Sequence, residues 1–148
     1  MDHISDTRLH SLGKSLALLR LRQLGFDTHD AATQPGNHDL IVFGRGGPVR
    51  VAVTTAVAEF DRPPAHLPAD ETQRDRVQVQ IFVLIEQQTL IPTFHVATRE
   101  VAWRFVEGAG PEAEFDLSRL IRLMAPNDFE PVTRLAGAPG DTAMAAAG

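Results

Sequence analysis

Asp39 is the residue whose type and place in the sequence point most directly to chemistry. It stands in NHDLIVFGRGGPVRVAVTT, residues 37–55, a stretch that predicts two strands joined by a glycine-rich turn. A carboxylate at the start of a strand can hold a hard cation such as Mg²⁺ through its oxygens. It can equally accept hydrogen bonds from backbone amides beside a turn. The sequence leaves both interpretations of Asp39 open.

The second strand of this hairpin is nearly all apolar. Val51 and Val53 share one face of it, because side chains alternate along a strand. With the turn centred near Gly46, we expect Asp39 to lie across from Val53. The same register places Ile41 across from Val51, on an apolar face with one acid at its rim. Further ligands would have to come from nearby side chains, namely Glu59, Asp61, His38 and His29.

Several classes of site are excluded by composition or receive no support from spacing. The chain of 148 residues has no cysteine, which excludes disulfides, thiolate zinc sites and cysteine nucleophiles. Its six histidines show no HxxxH or HxH spacing, so a histidine metal site is not predicted. The sequence GRGG lacks the spacing of a phosphate-binding loop, and no helix follows it.

Charge gives limited support to nucleic-acid binding. The net charge is −5, whereas a phosphate-binding surface needs clustered cations. Residues 7–25 predict a helix with a leucine stripe, and Arg8, Lys14 and Arg22 fall mostly off that stripe. These cations are the candidate phosphate contacts, although charged helix faces are commonly only solvated. Lys14 is the single lysine among 14 cations, a bias typical of a GC-rich genome.

The remaining pattern predicts a mixed α/β domain. Residues 26–33 predict an edge strand, and the hairpin strands are expected at His38–Phe43 and Val49–Thr55. A polar loop is expected over residues 59–75, because that segment contains three prolines. The runs VQVQIFVLI and PTFHVAT predict a central strand and a further strand whose His95 faces solvent. The prediction is a single domain with a central mixed sheet of about five strands flanked by helices.

Two helices and a tail complete this prediction. Thr98 is expected to cap a helix at REVAWRFVEG, and Asp116 a helix at LSRLIRLMA that Pro126 ends. Residues 1–134 form the predicted domain, and the Ala- and Gly-rich residues 135–148 a disordered tail. No signal peptide and no apolar run long enough to span a bilayer is visible, so we expect a cytoplasmic protein without membrane contact.

Three stretches resemble the PD-(D/E)xK nuclease superfamily, whose fold is called restriction-endonuclease-like. GKSLALLRLRQLGFDTH is similar to the family's N-terminal helix, which ends in LG and runs into a strand. HDLIVFGRGGPVRVAVTT is similar to the hairpin xDLIV…G…IEVKTT. QVQIFVLIEQQTLIPTFHVATREVAW resembles the strand pair and helix of many small bacterial members. Together the three stretches cover roughly residues 9–106, and they imply a restriction-endonuclease-like fold.

The functional residues of the family carry over only in part. The resemblance places Asp39 at the first metal-binding aspartate. It places Val51 where the family has its glutamate and Val53 where it has its lysine. Lys14 stands where many members have a helix glutamate. In an active member the acids hold the metal, and the metal and lysine activate water and stabilise the charged transition state.

These departures lead to two functional hypotheses. The first is a catalytically degenerate nuclease-like domain that acts as a binding or interaction module for a protein or a nucleic acid, without a cofactor. The alternative is a divergent nuclease that uses Mg²⁺ or Mn²⁺, with Asp39 as a ligand and Glu59 or Asp61 as a migrated second acid. A coincidental similarity of patterns would leave a small α/β domain with neither role.

Overall fold

A five-stranded mixed sheet forms the centre of the protein in a computed structural model, which describes residues 6–31, 39–58 and 66–137. In spatial order its strands are β1 (Asp27–Asp30), β2 (Leu40–Gly44), β3 (Gly47–Ala58), β5 (Val79–Glu86) and β6 (Pro92–Thr98). Neighbours pair antiparallel except β3 and β5, which run parallel. This sheet confirms the predicted architecture.

Shorter elements complete the fold. A second, antiparallel sheet has the order β4 (His66–Pro68), β8 (Glu114–Asp116) and β7 (Val106–Glu107). The helices are α1 (Asp6–Gln23), α2 (Glu71–Arg74), α3 (Arg99–Trp103), α4 (Leu117–Leu123) and α5 (Glu130–Ala136), and Gly110–Glu112 form one 3-10 turn. No helix within the described residues is long and apolar enough to cross a membrane.

The two faces of the central sheet carry two apolar cores. On one face, Ala17 and Leu21 of α1 and Val132 of α5 pack against β2, β3, β5 and β6. On the other face, residues of α3, α4 and the small sheet pack against Phe82 and Leu84. Strand β5 contributes to both cores because alternate side chains point to opposite faces. Its apolar residues are all buried, as a central strand requires.

The hairpin between β2 and β3 is shaped by helix α5. A Cβ on Gly44 would lie 1.8 Å from the carbonyl oxygen of Ala136, and one on Gly46 would lie 2.5 Å from that of Leu135. The Gly46 amide donates to the Ala136 oxygen at 3.1 Å. The glycines of GRGG therefore admit the last turn of α5 against the hairpin, in addition to supplying the positive φ of 98° at Gly47.

Asn127 closes part of the free edge of β6. Its side-chain oxygen accepts from the Phe94 amide at 3.0 Å, and its own amide donates to the Phe94 carbonyl at 2.6 Å. Asn127 adopts a positive φ of 59°, a conformation that asparagine tolerates better than most residues. One residue thus satisfies both outward-facing backbone groups of Phe94.

Several predicted elements need correction. The segment 59–75 is not a continuous loop, because β4 and α2 lie within it; residues 59–65 are outside the described part of the chain. Helix α3 ends at Trp103, since the chain turns there to enter β7. Thr98 makes no side-chain cap to α3, whereas Asp116 accepts from the Arg119 amide and caps α4 as predicted.

His95 is not on the surface. Only 3% of it is exposed, because its strand pairs with β5 and the ring lies on the same face as Phe82, directly across from it. Burial lowers the pKa of the imidazole below its usual value of 6.5. The sequence PTFHVAT alternates too weakly to distinguish a strand with one exposed face from one that is covered on both.

The C-terminal end of the described chain is helix α5. It reaches Ala136, which is fully buried, two residues beyond the predicted boundary at 134. Residues 138–148 of the predicted tail lie outside the described residues. The division into a domain of residues 1–134 and a tail of residues 135–148 stays a prediction.

Candidate functional site

The backbone of Asp39 is fixed between two strands. Its amide donates to the Val51 carbonyl at 2.9 Å, and its carbonyl accepts from the Ala31 amide at 3.0 Å. Strand β2 begins at the next residue. Asp39 therefore occupies the start of the first hairpin strand, the position that the sequence predicted.

Both carboxylate oxygens of Asp39 are engaged by the protein. Oδ1 lies 2.8 Å from Nε2 of His10 on α1, and Oδ2 accepts from the Val53 amide at 2.8 Å. The pairing of β2 with β3 ends at Leu40 and Val51, so the carboxylate serves an amide two residues further along β3. The predicted backbone hydrogen bond thus exists, but its donor is on the neighbouring strand and not in Asp39's own turn.

The hairpin register differs by one residue from the predicted one. Leu40 pairs with Val51 and Ile41 with Arg50, because Gly44 and Gly47 close the turn. A shift of one residue exchanges the faces of a strand. Leu40 and Val42, and not Ile41 and Phe43, therefore share the α1-facing side with Val51 and Val53.

Val51 and Val53 belong to the core. They are 0% and 4% exposed and pack in the cluster that includes Ala17 and Leu21 of α1. These are the positions at which the resemblance places glutamate and lysine. Apolar packing between β3 and α1 therefore occupies the two positions from which those side chains would extend in an active member.

Charged residues beside Asp39 form pairs along α1. His10 and Lys14 lie one turn apart on the helix, and Lys14 Nζ lies 3.2 Å from Asp30 Oδ1 at the end of β1. The hydrogen bond that His10 makes to the Asp39 carboxylate raises the pKa of His10 above 6.5, while partial burial and the charge of Lys14 oppose this shift. Two acidic side chains thus face two basic ones, so negative charge is not concentrated at this site.

This arrangement does not fit a Mg²⁺ or Mn²⁺ centre. Such ions need several oxygen ligands, and Asp39 offers one carboxylate whose oxygens already have partners. Within residues 6–31, 39–58 and 66–137, no group of three histidine, aspartate or glutamate side chains that includes Asp39 brings its ligand atoms within 4.8 Å of one another. The described ligand atoms at Asp39 are therefore too few to fill the coordination shell of either metal.

Of the other proposed ligands of this site, His29 alone lies within the described residues. Glu59, Asp61 and His38 lie outside the described residues. His29 is exposed on β1, where its Nε2 lies 2.8 Å from Asp27 Oδ1 and its ring stacks edge-on against Phe43. His29 therefore pairs with Asp27 and not with Asp39.

The three candidate phosphate-binding cations also have partners within the protein. Lys14 pairs with Asp30, and Arg22 Nε donates to the Thr28 carbonyl at 3.0 Å. Arg8 is exposed, and it too makes an interaction within the chain. The structure therefore places these cations on one helix, and Lys14 and Arg22 link that helix to β1.

His10 is the site residue that the sequence analysis missed. It lies 29 residues before Asp39, and nothing in the local sequence links the two. Its position one helical turn before Lys14 was the available signal, since the two side chains share the polar side of α1. Identifying the contact required knowledge of how α1 crosses the hairpin.

Comparison with known proteins defines the fold. The sequence matches no protein-family profile and no curated protein sequence. The structure is similar to that of a bacterial homing endonuclease, I-Ssp6803I, with a TM-score of 0.52 and 12% identity over 76% of this chain and 77% of that one. It also matches Hjc, a Holliday junction resolvase from Archaeoglobus fulgidus, with a TM-score of 0.47 and 17% identity over 86% of this chain and 95% of that one.

The chain has the restriction-endonuclease-like fold, which is the fold of the PD-(D/E)xK superfamily. This confirms the fold that the three sequence stretches implied. At the positions that the resemblance aligns with the family's aspartate, glutamate and lysine, this chain has Asp39, Val51 and Val53.

Proposed function

We propose that this protein is a nuclease-like domain that acts as a binding or interaction module and does not cleave nucleic acid. The observation that carries the proposal is the burial of Val51 and Val53 in the core, at 0% and 4% exposure. The second support is the use of both Asp39 oxygens by His10 and the Val53 amide. In this role Asp39 joins α1 to the hairpin, and no cofactor is needed.

Cleavage of a phosphodiester by this fold would need charge that the described site lacks. The reaction is usually accelerated by a water molecule that a metal ion activates. A cation that stabilises the negative charge of the transition state accelerates it further. Replacing the lysine by a buried valine removes the cation, and replacing the glutamate removes a metal ligand. No third described ligand at Asp39 replaces the glutamate. The nearby cation, Lys14, is already paired with Asp30.

We favour a protein over a nucleic acid as the partner. The net charge is −5, and the candidate cations Lys14 and Arg22 are held by Asp30 and the Thr28 carbonyl. Binding to phosphates would have to displace these contacts. Nucleic acid therefore remains the second choice of partner, with Arg8, Lys14 and Arg22 as its candidate contacts.

A nuclease assay with a matched pair of variants tests the proposal. Purified wild-type protein, Asp39→Asn and Arg50→Gln are incubated with single-stranded, duplex and branched DNA in Mg²⁺ or Mn²⁺. Arg50 is exposed on the same strand as the valines and serves as the control. We expect no cleavage by any of the three proteins. Cleavage that is lost in Asp39→Asn and retained in Arg50→Gln would overturn the proposal.

Such a result would support the alternative of a divergent Mg²⁺- or Mn²⁺-dependent nuclease. In that alternative, Asp39 ligates the metal and Glu59 or Asp61 supplies the second acid. The accessible edge of the Asp39 side chain, which is 15% exposed, is the observation that favours it. Calorimetric titration of Mn²⁺ into wild-type protein and Asp39→Asn would then show binding that depends on Asp39.

A further inference from the structure

Three potential metal ligands meet on the small sheet, far along the chain from Asp39. They are His66 on β4, Glu107 on β7 and Asp116 on β8, and we call them the His66 cluster. One ligand atom from each side chain lies within 4.8 Å of the corresponding atoms of the other two. The sequence does not predict a histidine metal site here, because His66 lies tens of residues before the two acids and no local motif links them.

Strand geometry explains why the three side chains share a surface. His66 pairs directly with Asp116, while Glu107 pairs with Glu114, two residues before Asp116 on the same strand. Directly paired residues and residues two apart lie on one face of a sheet. The small sheet therefore presents these four side chains together.

The opposite face of the small sheet is anchored in the core. Phe115 is 2% exposed and packs edge-on against Phe82, with ring centroids 4.9 Å apart. Leu67 and Val106, which flank Phe115 on the neighbouring strands, pack against the same apolar cluster. The backbone that carries the His66 cluster is thus fixed by buried side chains on its other side.

The separation of His66 and Glu107 suits a small tetrahedral ion. Nε2 of His66 lies 3.4 Å from Oε2 of Glu107. Two ligands of a tetrahedral zinc ion, each about 2.0–2.2 Å from the metal, lie roughly 3.3–3.6 Å apart. Asp116 Oδ1 accepts from the Arg119 amide at 3.2 Å, the kind of hydrogen bond that orients a ligating carboxylate.

Charge on this face also favours a cation. Glu107 and Glu114 are directly opposite each other, an arrangement that destabilises a pair of strands through repulsion. Asp116 adds a third carboxylate, and His66 is the only basic side chain among the four. A divalent ion bound by the cluster would offset this repulsion.

We propose that the His66 cluster binds one Zn²⁺ ion, with His66, Glu107 and Asp116 as ligands and water in the fourth position. One imidazole and two carboxylates suit zinc, whereas Ca²⁺ and Mg²⁺ prefer six or more oxygen ligands. The proposal does not depend on the proposed function, since it uses no residue of the Asp39 region.

Zinc titration of the full chain tests this site. Calorimetry with Zn²⁺ is carried out on wild-type protein, His66→Gln, Glu107→Gln and His29→Gln. The last variant is the matched control, because His29 forms an exposed pair with Asp27 but has no third ligand in the described structure. We expect one ion per wild-type chain and an affinity lower by at least about tenfold in the two cluster variants. The His29→Gln affinity should equal that of the wild type.

Two further measurements separate loss of the site from loss of the fold. Far-UV circular dichroism should be the same for all four proteins without metal. Zn²⁺ should raise the melting temperature of the wild type and of His29→Gln, but not that of His66→Gln, because only a folded site binds the ion. Equal zinc affinity in wild type and His66→Gln, or no heat at millimolar zinc, would overturn the proposal. Either result would leave the Asp39 assay unaffected.

Discussion

The carboxylate of Asp39 links a helix to a sheet. It accepts from the Val53 amide on β3 and contacts the imidazole of His10 on α1. The same aspartate that resembles a metal ligand in sequence therefore has a structural role in the described chain. The contribution of the His10–Asp39 contact to the free energy of unfolding should depend on pH, because His10 titrates.

His10→Gln should destabilise the protein mainly at low pH. Because the pKa of His10 is raised above 6.5 in the folded state, its contribution is fully present below pH 6.5 and declines as pH rises through the folded pKa. The His10 side chain is 45% exposed, so solvent screening limits this contribution to about 1 kcal/mol or less. Urea denaturation at a series of pH values measures it.

The control for this series is His29→Gln. It removes a histidine–aspartate pair with the same 2.8 Å separation, but both partners are exposed on β1. A difference between wild type and His10→Gln that grows with rising pH would contradict the expected sign.

Restoring the family's glutamate should damage this chain. Val51→Glu places a carboxylate in a site with 0% exposure, and an uncompensated buried charge costs about 3–5 kcal/mol. Burial favours the protonated carboxyl group, so the loss should be greatest at neutral pH and smaller in acid. Chemical denaturation at two pH values tests this expectation.

Val51→Gln is the matched neutral variant, and Arg50→Glu places the same charge at the exposed neighbouring position. We expect Val51→Gln to lose stability without the pH dependence and Arg50→Glu to stay close to the wild type. Wild-type stability in Val51→Glu would show that α1 can move aside at this position.

For single residues, the sequence predicted those features that depend on local chemistry. Asp39 at the strand start and the apolar character of Val51 and Val53 were both predicted. The register was wrong by one residue because turn closure at Gly44 and Gly47 depends on how α5 packs over the hairpin. The contact of His10 with Asp39 depends on the position of α1, which no short-range pattern encodes.

Among the elements, α1 and β3 approach each other closely at one glycine. A Cβ on Gly13 would lie 1.7 Å from Thr55 Oγ1, far inside contact distance. Thr55 Oγ1 is buried and has no hydrogen-bond partner among the described residues. This crossing brings the polar side of α1 down to the hairpin, and so it sets the position of His10 and Lys14.

Gly13→Ala should therefore destabilise the protein even though alanine is the better helix former. Overpacking typically costs about 1–3 kcal/mol. Replacing glycine by alanine inside a helix gains about 1 kcal/mol, so a cost near the upper end outweighs the gain. We expect the upper end because the clash involves three atoms of Thr55. Thermal unfolding followed by circular dichroism measures the change in melting temperature.

Ser15→Ala serves as the control, since Ser15 is exposed on the same helix and should gain slightly in stability. Adding Thr55→Gly to Gly13→Ala removes the clashing atoms, and a double-mutant cycle should then show favourable coupling. Additive effects of the two substitutions would mean that the helix shifts instead of clashing.

The long elements were predictable, and the short ones were not. Helix α1 and strand β5 have enough residues for a clear period or a continuous apolar run. Strands of two or three residues, such as β4 and β7, contain too few positions to show alternation. Helix α5 was missed because its seven residues follow a proline-containing segment and lie next to the Ala- and Gly-rich end of the chain.

For the whole molecule, the two cores are coupled through the central sheet. Ile81 and Val83 of β5 face α1, while Phe82 and Leu84 face α3 and α4. Trp103, the only tryptophan, packs against the second core. Its fluorescence therefore reports on one face of the sheet, and substitutions in α1 perturb the other.

Leu21→Ala should shift the unfolding of both faces together. Leu21 is 0% exposed in the first core, and a buried leucine truncated to alanine costs about 2–5 kcal/mol. Denaturant curves from Trp103 fluorescence and from far-UV circular dichroism should move by the same amount, because a shared sheet makes unfolding cooperative.

Leu19→Ala is the control from the same helix, with its side chain 55% exposed, and it should have a small effect. A Trp103 transition that stays at the wild-type midpoint while the circular dichroism curve shifts would show that the two cores unfold independently.

Asn127 has a consequence for association between chains. An outer strand offers its unpaired backbone groups to any extended peptide, including the same strand of another copy, and this is a common route to aggregation. Strand β6 would offer Phe94 in this way, but the Asn127 side chain and amide already occupy both groups. A strand added there would first have to displace the linker between α4 and α5. Asn127 therefore blocks the pairing of another strand with β6 at Phe94.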